Sequence, residues 1–320
     1  MRLVLRRLPA ILATLLVVSF LTFLLTSLLP GDPAVQILGP EAADDPESLA
    51  AVREDLRLDD PLLSRYGAWL SDVATGDLGR SYRTGQEVTE AIAERLPVTL
   101  EVGTLAVVIA LALAIPLGTL SAFRAGSRVD RAVTGASFGL LALPSFMVAI
   151  LLIYIFAVTL GWLPATGWTR LTTDPIDNLR HAILPALALA AGEMAVYTRL
   201  LRADMITTLQ QDSITMARAK GIPTSRILFR HALRPSSFSL MTVVGLQVAT
   251  IIGGAVIVET LFALPGIGRL LVDSIVQRDL VMVQGVALVI AISFVVINFV
   301  VDLLYTLLDP RIRHGSAATA

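Results

Sequence analysis

Long apolar runs separated by polar stretches dominate the pattern of residues along this chain. Six of these runs are each long enough to cross the roughly 30 Å hydrocarbon core of a bilayer, which takes about 20 helical residues. The pattern therefore predicts an all-α integral membrane protein. Its six predicted transmembrane helices lie near Leu8–Leu29, Val98–Phe123, Ala132–Leu160, Ile183–Leu200, Phe238–Val258 and Val281–Leu308.

The polar segment of residues 30–97, between the first two spans, predicts two short amphipathic helices. Asp45 and Pro46 suit the cap and the first position of one helix, and Asp60 and Pro61 suit those of the next. Gly76 is a stop signal for the second helix. Both apolar faces must pack on each other or on the outer ends of the spans. These faces consist of Leu49, Val52 and Leu56, and of Leu62, Tyr66, Trp69, Leu70 and Val73.

Prolines and glycines inside the predicted spans indicate where the helices bend or approach one another. Pro144 removes a backbone donor and predicts a kink in the third span, and Pro116 and Pro185 could act likewise in the second and fourth. In the fifth span, Gly253 and Gly254 permit either close helix packing or a wider transport pathway. Packing is the preferred interpretation.

Composition and charge support a membrane location and predict its orientation. The 320 residues are 55% hydrophobic and have a mean hydropathy of +0.75, so the bilayer is the expected solvent for most of the chain. With an inside N-terminus, the inside segments hold fifteen basic and four acidic residues, whereas the outside segments hold ten basic and nineteen acidic residues. The positive-inside rule therefore predicts that both termini are cytoplasmic.

Four segments follow from this organisation. Residues 1–29 form the first transmembrane helix, which is retained because no small-residue cleavage signal precedes "LLPGDP". Residues 30–97 form an extracytoplasmic helical segment. Residues 98–310 form a five-helix core with a cytoplasmic loop at about 203–235, and residues 311–320 form a cytoplasmic tail.

Catalytic and metal-binding chemistry is poorly represented in the sequence. The chain has no cysteine, and His181, His231 and His314 lack metal-ligand spacing, which argues against a metal site. The single lysine, Lys220, lies between Ala219 and Gly221, so it cannot be the lysine of a Walker A phosphate loop. We therefore expect no enzyme activity and no cofactor in this chain, and ATP and Mg²⁺ would be bound by another polypeptide.

Glu193 is the carboxylate predicted to lie in the middle of a span. A carboxylate there is costly and indicates a functional site, such as a transport pathway, by default. The alternative interpretation is that Glu193 pairs with a neighbouring arginine near the inner interface.

The stretch "MARAKGIPTSRILFRHALRPSS", residues 216–237, is basic and lies between two apolar runs. Asp212 and Ser213 offer a cap for a short cytoplasmic helix, and Gly221 offers its stop. The arginines of this stretch could bind anionic headgroups. Small residues at Ala217, Ala219 and Gly221 are better explained by close approach of a partner to the backbone.

This stretch resembles the cytoplasmic loop of ATP-binding-cassette importer permeases, and the dipeptide, oligopeptide and nickel group is the nearest. The loop motif is "ARAKG" followed by "HALR". The likeness continues in order through nearly the whole chain, from "RRLPAILATLLVVSFLTFLLTSLLPGDPA" through "GDLGRSYRTGQEVTEAIAERLPVTLE" and "RHAILPALALA" to "GGAVIVETLFALPGIGRLL" and "NFVVDLLYTLLDPRIR". The chain departs from the family pattern at Ser213, Thr215, Pro235 and Ser239.

The resemblance implies a type I importer permease fold in the bacterial cytoplasmic membrane. Two permease subunits, identical or not, would form one pathway above two cytoplasmic ATPase subunits. An extracytoplasmic binding protein would deliver the substrate, which for this family is most often a di- or oligopeptide. The residues implied to couple the permease to the ATPase are Gln211, Asp212, Ala217, Arg218, Ala219, Lys220 and Gly221.

Other functions stay open on the sequence alone. The same fold could import nickel complexes, glutathione or another small solute. A self-sufficient channel or ion-coupled carrier would show flux with this chain alone, but the chain has few intramembrane charges for such a role. A scaffold without a pathway fits six spans but not the ordered set of motifs.

Overall fold

The computed structural model describes residues 2–27, 34–35, 45–55 and 57–308. Helices account for most of that part of the chain. The motifs at residues 28–33 and 309–313, Leu56 and the predicted tail at residues 311–320 lie outside the described residues. The helices are α1 (Arg2–Ser27), α2 (Pro46–Asp55), α3 (Leu62–Thr75), α4 (Val88–Phe123), α5 (Arg128–Ala142), α6 (Ser145–Leu152), α7 (Pro175–Leu209), α8 (Asp212–Ala219), α9 (Arg234–Leu261), α10 (Ile267–Val276) and α11 (Leu280–Leu308).

Three of the described helices, α4, α7 and α11, are each long and apolar enough to cross a membrane. Two bent pairs raise this number to five if each pair is one span, namely Arg128–Ala142 with Ser145–Thr159 and Thr224–Val248 with Gly253–Leu261. The first predicted span coincides with a shorter apolar stretch of α1, Pro9–Leu24. The helices therefore fit an integral membrane protein, and the number six stays a prediction.

The kink predicted at Pro144 is confirmed, and it is a full break in the helix. The axes of Arg128–Ala142 and Ser145–Thr159 differ by 106°. Leu143 is extended, with φ −94° and ψ 124°, as expected for a residue that precedes proline. By contrast, α4 and α7 continue without interruption through Pro116 and Pro185.

The described chain forms two compact units, one of residues 1–98 with 265–296 and the other of residues 99–264 with 297–320. In the first unit, Val88, Ile92, Ile267, Met282 and Val286 form a buried apolar cluster. These residues come from the start of α4, from α10 and from α11. The unit thus joins segments that lie almost 200 residues apart in the chain.

A buried polar contact lies in the same unit. The Ser81 hydroxyl donates a hydrogen bond to one carboxylate oxygen of Asp279, and both residues are at most 5% exposed. The other oxygen of Asp279 accepts from the Met282 amide at 3.2 Å and so caps the first turn of α11. A Cβ atom at Gly285 would lie 2.4 Å from Cγ1 of Val88, so α11 and α4 meet there at very close range.

The two short helices of the polar segment form as predicted, with one difference at a cap. Asp45 caps α2 by accepting from the Glu47 amide, and hydrogen bonds from the Ser48 hydroxyl and that amide hold the pKa of Asp45 below its ordinary value. Pro61, and not Asp60, occupies the N-cap position of α3. Gly76 ends α3 in the left-handed region at φ 91°, as predicted.

The apolar faces of these helices pack within the first unit. Leu49 and Val52 of α2 pack with Ala34 and Leu58. Tyr66 and Trp69 of α3 lie against the aromatic rings of Phe20 and Phe23 in α1. Tyr66 also shares a hydrogen bond of 2.8 Å with Ser19. The apolar face of α3 therefore packs on α1, and the prediction that this part of α1 is the outer end of a span is untested.

The second unit is built around α7, a helix of 35 residues. Asp174 caps its start by accepting from the amides of Ile176 and Asp177 at 3.0 Å. Fourteen of its residues are buried, and it packs against α5, α6 and α9. This central helix leads directly into the basic stretch that the sequence singles out.

Candidate functional site

The candidate site is α8, which follows α7 after a turn at Gln210 and Gln211. The helix is present as predicted, but its cap differs from the prediction. Gln211 occupies the N-cap position, and no side-chain capping bond is made there among the described residues. Asp212 is the first helical residue, where its negative charge is favourable for the helix dipole.

The end of α8 is a Schellman motif built on Gly221. The Gly221 amide donates to the Arg218 carbonyl at 2.9 Å, and the Ile222 amide donates to the Ala217 carbonyl at 3.2 Å. Gly221 has φ +72°, in the left-handed region that disfavours residues with a Cβ atom. The predicted stop is therefore confirmed, with a conformational reason for the glycine.

The underside of α8 is fixed to its own chain by apolar contacts. Ile214 is 2% exposed and Ala217 is 7% exposed, and both pack against the buried Ile227. Leu209 and Ile222 cover the edges of this cluster. Because Ala217 faces inwards, its small size serves packing within the chain, which differs from the expectation that it lets a partner approach.

The opposite face of α8 is open. Met216 is 59% exposed on this face. Six of the seven predicted coupling residues are also exposed, namely Gln211, Asp212, Arg218, Ala219, Lys220 and Gly221. The structure therefore leaves six of the seven predicted residues exposed and buries Ala217.

A cavity of about 260 Å³ lies beside α8. It is lined by Arg218 of α8, by Phe123 at the end of α4 and by Leu209 at the end of α7. Downstream, residues 227–233 continue as a helix with π-type hydrogen bonding, a feature that is frequent at functional sites. The ends of α4 and α7 thus lie beside α8.

Glu193 lies on α7, away from α8, and is partly buried. Its carboxylate oxygens accept hydrogen bonds from Gln247 of α9, at 3.3 and 3.5 Å. Glu193 therefore contacts an amide of the fifth predicted span, where the sequence suggested an arginine. A pathway role for Glu193 stays a prediction.

The glycine pair of the fifth span is only partly engaged in packing. A Cβ atom at Gly254 would lie 3.7 Å from Leu189, an ordinary contact, whereas at Gly253 it would meet no described atom within 4 Å. Other glycines make tighter contacts, such as Gly285, Gly79, where a Cβ atom would lie 2.9 Å from Cγ1 of Val281, and Gly118, where it would lie 3.0 Å from the Thr198 carbonyl. Of the two glycines, only Gly254 therefore packs against another helix of the same chain.

Sequence reasoning missed two buried carboxylates that the second unit holds. Asp130 is 3% exposed and pairs with Arg202 of α7. Glu259 is 1% exposed and accepts from the Thr99 hydroxyl at 2.5 Å. Both acids stand just outside a predicted span, where water is usually reachable, so the sequence gives no signal of burial. Within the described residues, no group of three His, Asp or Glu side chains could hold a metal ion.

Replacing Gly221 with alanine should loosen the end of α8, because a left-handed residue with a Cβ atom costs about 1–2 kcal/mol. We expect the Lys220 and Ile222 amides to exchange hydrogen about five- to thirtyfold faster in nanodiscs. Asparagine tolerates this conformation better, so Gly221→Asn is the matched control and should show a smaller increase. Equal exchange in both variants would contradict this role for Gly221.

Comparison with known proteins assigns this architecture to a class. The sequence profile described as "Binding-protein-dependent transport system inner membrane component" matches residues 114–314, which include α7, α8 and α9. A companion profile for the N-terminal part of such membrane components matches residues 1–103. The chain therefore belongs to the family of binding-protein-dependent transport system inner membrane components, a family of transport permeases.

Individual relatives align with nearly the whole chain. A Brucella abortus (strain 2308) protein is 42% identical over 312 residues, covering 98% of this chain and 99% of the relative. The oligopeptide transport system permease protein AppB of Bacillus subtilis (strain 168) is 39% identical, covering 97% and 99%. The glutathione transport system permease protein GsiC of Salmonella paratyphi A is also 39% identical, covering 97% and 98%.

Proposed function

We propose that this chain is the permease subunit of an ATP-driven peptide importer and that α8 is its contact with a separate ATPase. One observation carries the proposal: α8 is anchored to its own chain through Ile214 and Ala217 while its opposite face, with Met216 and Ala219, is exposed. A helix fixed on one side and open on the other suits the transfer of force from a partner. The sequence has no Walker A lysine, so the motor must be another polypeptide.

The assembly that we propose has four kinds of subunit. This chain would pair with a second, homologous permease, two ATPases would bind beneath the pair, and an extracytoplasmic binding protein would deliver the substrate. The family description, a binding-protein-dependent inner membrane component, supports the binding protein and a cytoplasmic-membrane location. Six spans with both termini in the cytoplasm would place α8 on the ATPase side.

Peptides are the proposed substrate class. The names of relatives support this choice, because AppB is named for oligopeptides and a 37% identical Pseudomonas aeruginosa relative is named for di- and tripeptides. Glutathione, the substrate in the name of GsiC, is itself a tripeptide and is the second candidate. The exposed amide and carboxylate groups that such ligands share would be selected first by the binding protein.

The orientation of α8 can be tested by thiol labelling, since the chain has no cysteine of its own. We expect Ala219→Cys to resist a membrane-impermeant maleimide in intact cells and to react in inside-out vesicles. Thr89→Cys, exposed near the start of α4, is the matched control and should show the reverse. Ala219→Cys should also form a cross-link with the ATPase subunit.

Labelling of Ala219→Cys from outside intact cells would overturn the proposed orientation. Substrate accumulation in liposomes that contain only the permease subunits would overturn the separate motor and favour a self-sufficient carrier.

A further inference from the structure

An ion pair in the second unit, between the buried Asp130 and the partly exposed Arg202, joins the corner between α4 and α5 to α7. Asp130, in the first turn of α5, is 3% exposed. Its carboxylate accepts from Nε of Arg202 at 2.5 Å and from Nη2 at 2.7 Å, so the guanidinium of α7 binds it in a two-point contact. Two-point contacts of this kind fix orientation as well as distance.

The Asp130 carboxylate also accepts hydrogen bonds from residues at the corner between α4 and α5. The Ser121 hydroxyl, near the end of α4, donates to Oδ1 of Asp130, and the Gly126 amide donates to Oδ2 at 2.8 Å. The Ser127 hydroxyl caps α5 by accepting from the Asp130 amide at 3.2 Å. One carboxylate therefore connects the end of α4, the turn, the start of α5 and α7.

Arg202 of this pair lies close in sequence to α8, the helix proposed to contact the ATPase. Arg202 is seven residues before the end of α7, and α8 starts three residues after that end. Phe123, in the last turn of α4, lines the same cavity as Arg218 of α8. A second polar contact of the α7 end, Thr208 with Ser236 at 3.2 Å, reaches the start of α9. The end of α7, which leads into α8, therefore contacts both the α4–α5 corner and the start of α9.

We infer that Asp130 and Arg202 are positioning residues for coupled transport, which hold the α4–α5 corner and the end of α7 as one rigid body. Displacement of α8 by the ATPase is then passed to α4 and α5 together with α7. Without the pair, α7 can move while the corner stays in place. This inference rests on the proposed role of α8, since a rigid link is useful only if α8 is moved.

A purely structural role for the pair makes a different prediction. If the pair only supports folding, its loss lowers the amount of assembled complex, and uptake and ATP hydrolysis fall together. If the pair transmits movement, the complex that does assemble hydrolyses ATP but moves less substrate for each ATP. The ratio of uptake to hydrolysis distinguishes the two roles.

The test uses the full complex with its ATPase and binding protein, purified through a tag on the ATPase and reconstituted in liposomes. Arg202→Lys keeps the positive charge but loses the two-point contact, and Asp130→Asn loses the negative charge. We expect the ratio of peptide uptake to ATP hydrolysis to fall at least about tenfold in both. Arg180→Lys is the matched control, because Arg180 is exposed on the same helix, 22 residues before Arg202, and the ratio in this variant should be unchanged.

Spin labels give a second measurement, which does not need the Asp130→Asn variant. With cysteines at Ala125 in the α4–α5 corner and at Thr207 near the end of α7, both exposed, the label distance in the complex should stay constant between nucleotide-free and ATP-bound states. In the Arg202→Lys background we expect this distance to change between those states. This measurement decides the inference even where Asp130→Asn fails to assemble.

Two results would overturn the inference. One is an unchanged ratio of uptake to hydrolysis in assembled Arg202→Lys complex, and the other is a label distance that differs between nucleotide states with the pair intact. Failure of the proposed function is recognised separately, because Ala219→Cys would then not cross-link to the ATPase.

Discussion

Replacing Met216 with glutamate is expected to abolish ATP-driven uptake. Met216 is 59% exposed on the open face of α8, so its substitution leaves the apolar underside formed by Ile214, Ala217 and Ile227 intact. A carboxylate buried without a partner at the ATPase contact should cost about 2 kcal/mol or more, which is about a 30-fold loss of affinity. The variant permease should therefore still fold but should no longer bind the ATPase tightly.

The measurement for Met216→Glu is ATPase binding to the permease complex in detergent, together with uptake in cells. Met216→Leu is the matched control, since it keeps an apolar side chain of similar volume and should retain both activities. Wild-type ATPase affinity in the Met216→Glu variant would exclude Met216 from the contact and would remove the main support for the proposed role of α8.

Replacing Gly285 with alanine is expected to give the largest loss of stability among the glycine variants. Its Cβ atom would lie 2.4 Å from Cγ1 of Val88, which is fully buried in the apolar cluster of the first unit. Valine is stiff at χ1 and cannot turn away easily, so the helices must separate. Overpacking of this kind costs about 1–3 kcal/mol.

Thermal unfolding of the purified complex, followed by tryptophan fluorescence, measures this loss. Gly253→Ala is the matched control, because its Cβ atom would meet no described atom within 4 Å. We expect a lower midpoint for Gly285→Ala and no intrachain loss for Gly253→Ala. Equal midpoints in the two variants would contradict the close contact between α4 and α11.

Features that depend on neighbouring residues could be predicted from the sequence. Gly76 and Gly221 end their helices because a left-handed residue is needed there, and Pro144 breaks its helix because it removes a donor and restricts Leu143. Asp45 caps α2 for an equally local reason. The apolar runs predict where most of the long helices lie, since their length relates directly to bilayer thickness.

Features that depend on distant residues could not be predicted in this way. Asp130 and Arg202 are 72 positions apart, and Thr99 and Glu259 are 160 positions apart. Neither pairing leaves a periodic trace in the sequence. Ala217 is a related case, because a small residue suits both a partner contact and a buried position, and only the packing of Ile227 decides between them.

The length of α7 sets the scale of any motion that reaches α8. Its 35 residues extend about 52 Å, well beyond the roughly 30 Å hydrocarbon core. If such a rod pivots near its middle by about 10°, its two tips swing about 4–5 Å in opposite directions. A displacement of the end of α7 next to α8 would therefore move the Pro175 end in the opposite direction, so that the helix would act as a lever with its pivot near the middle.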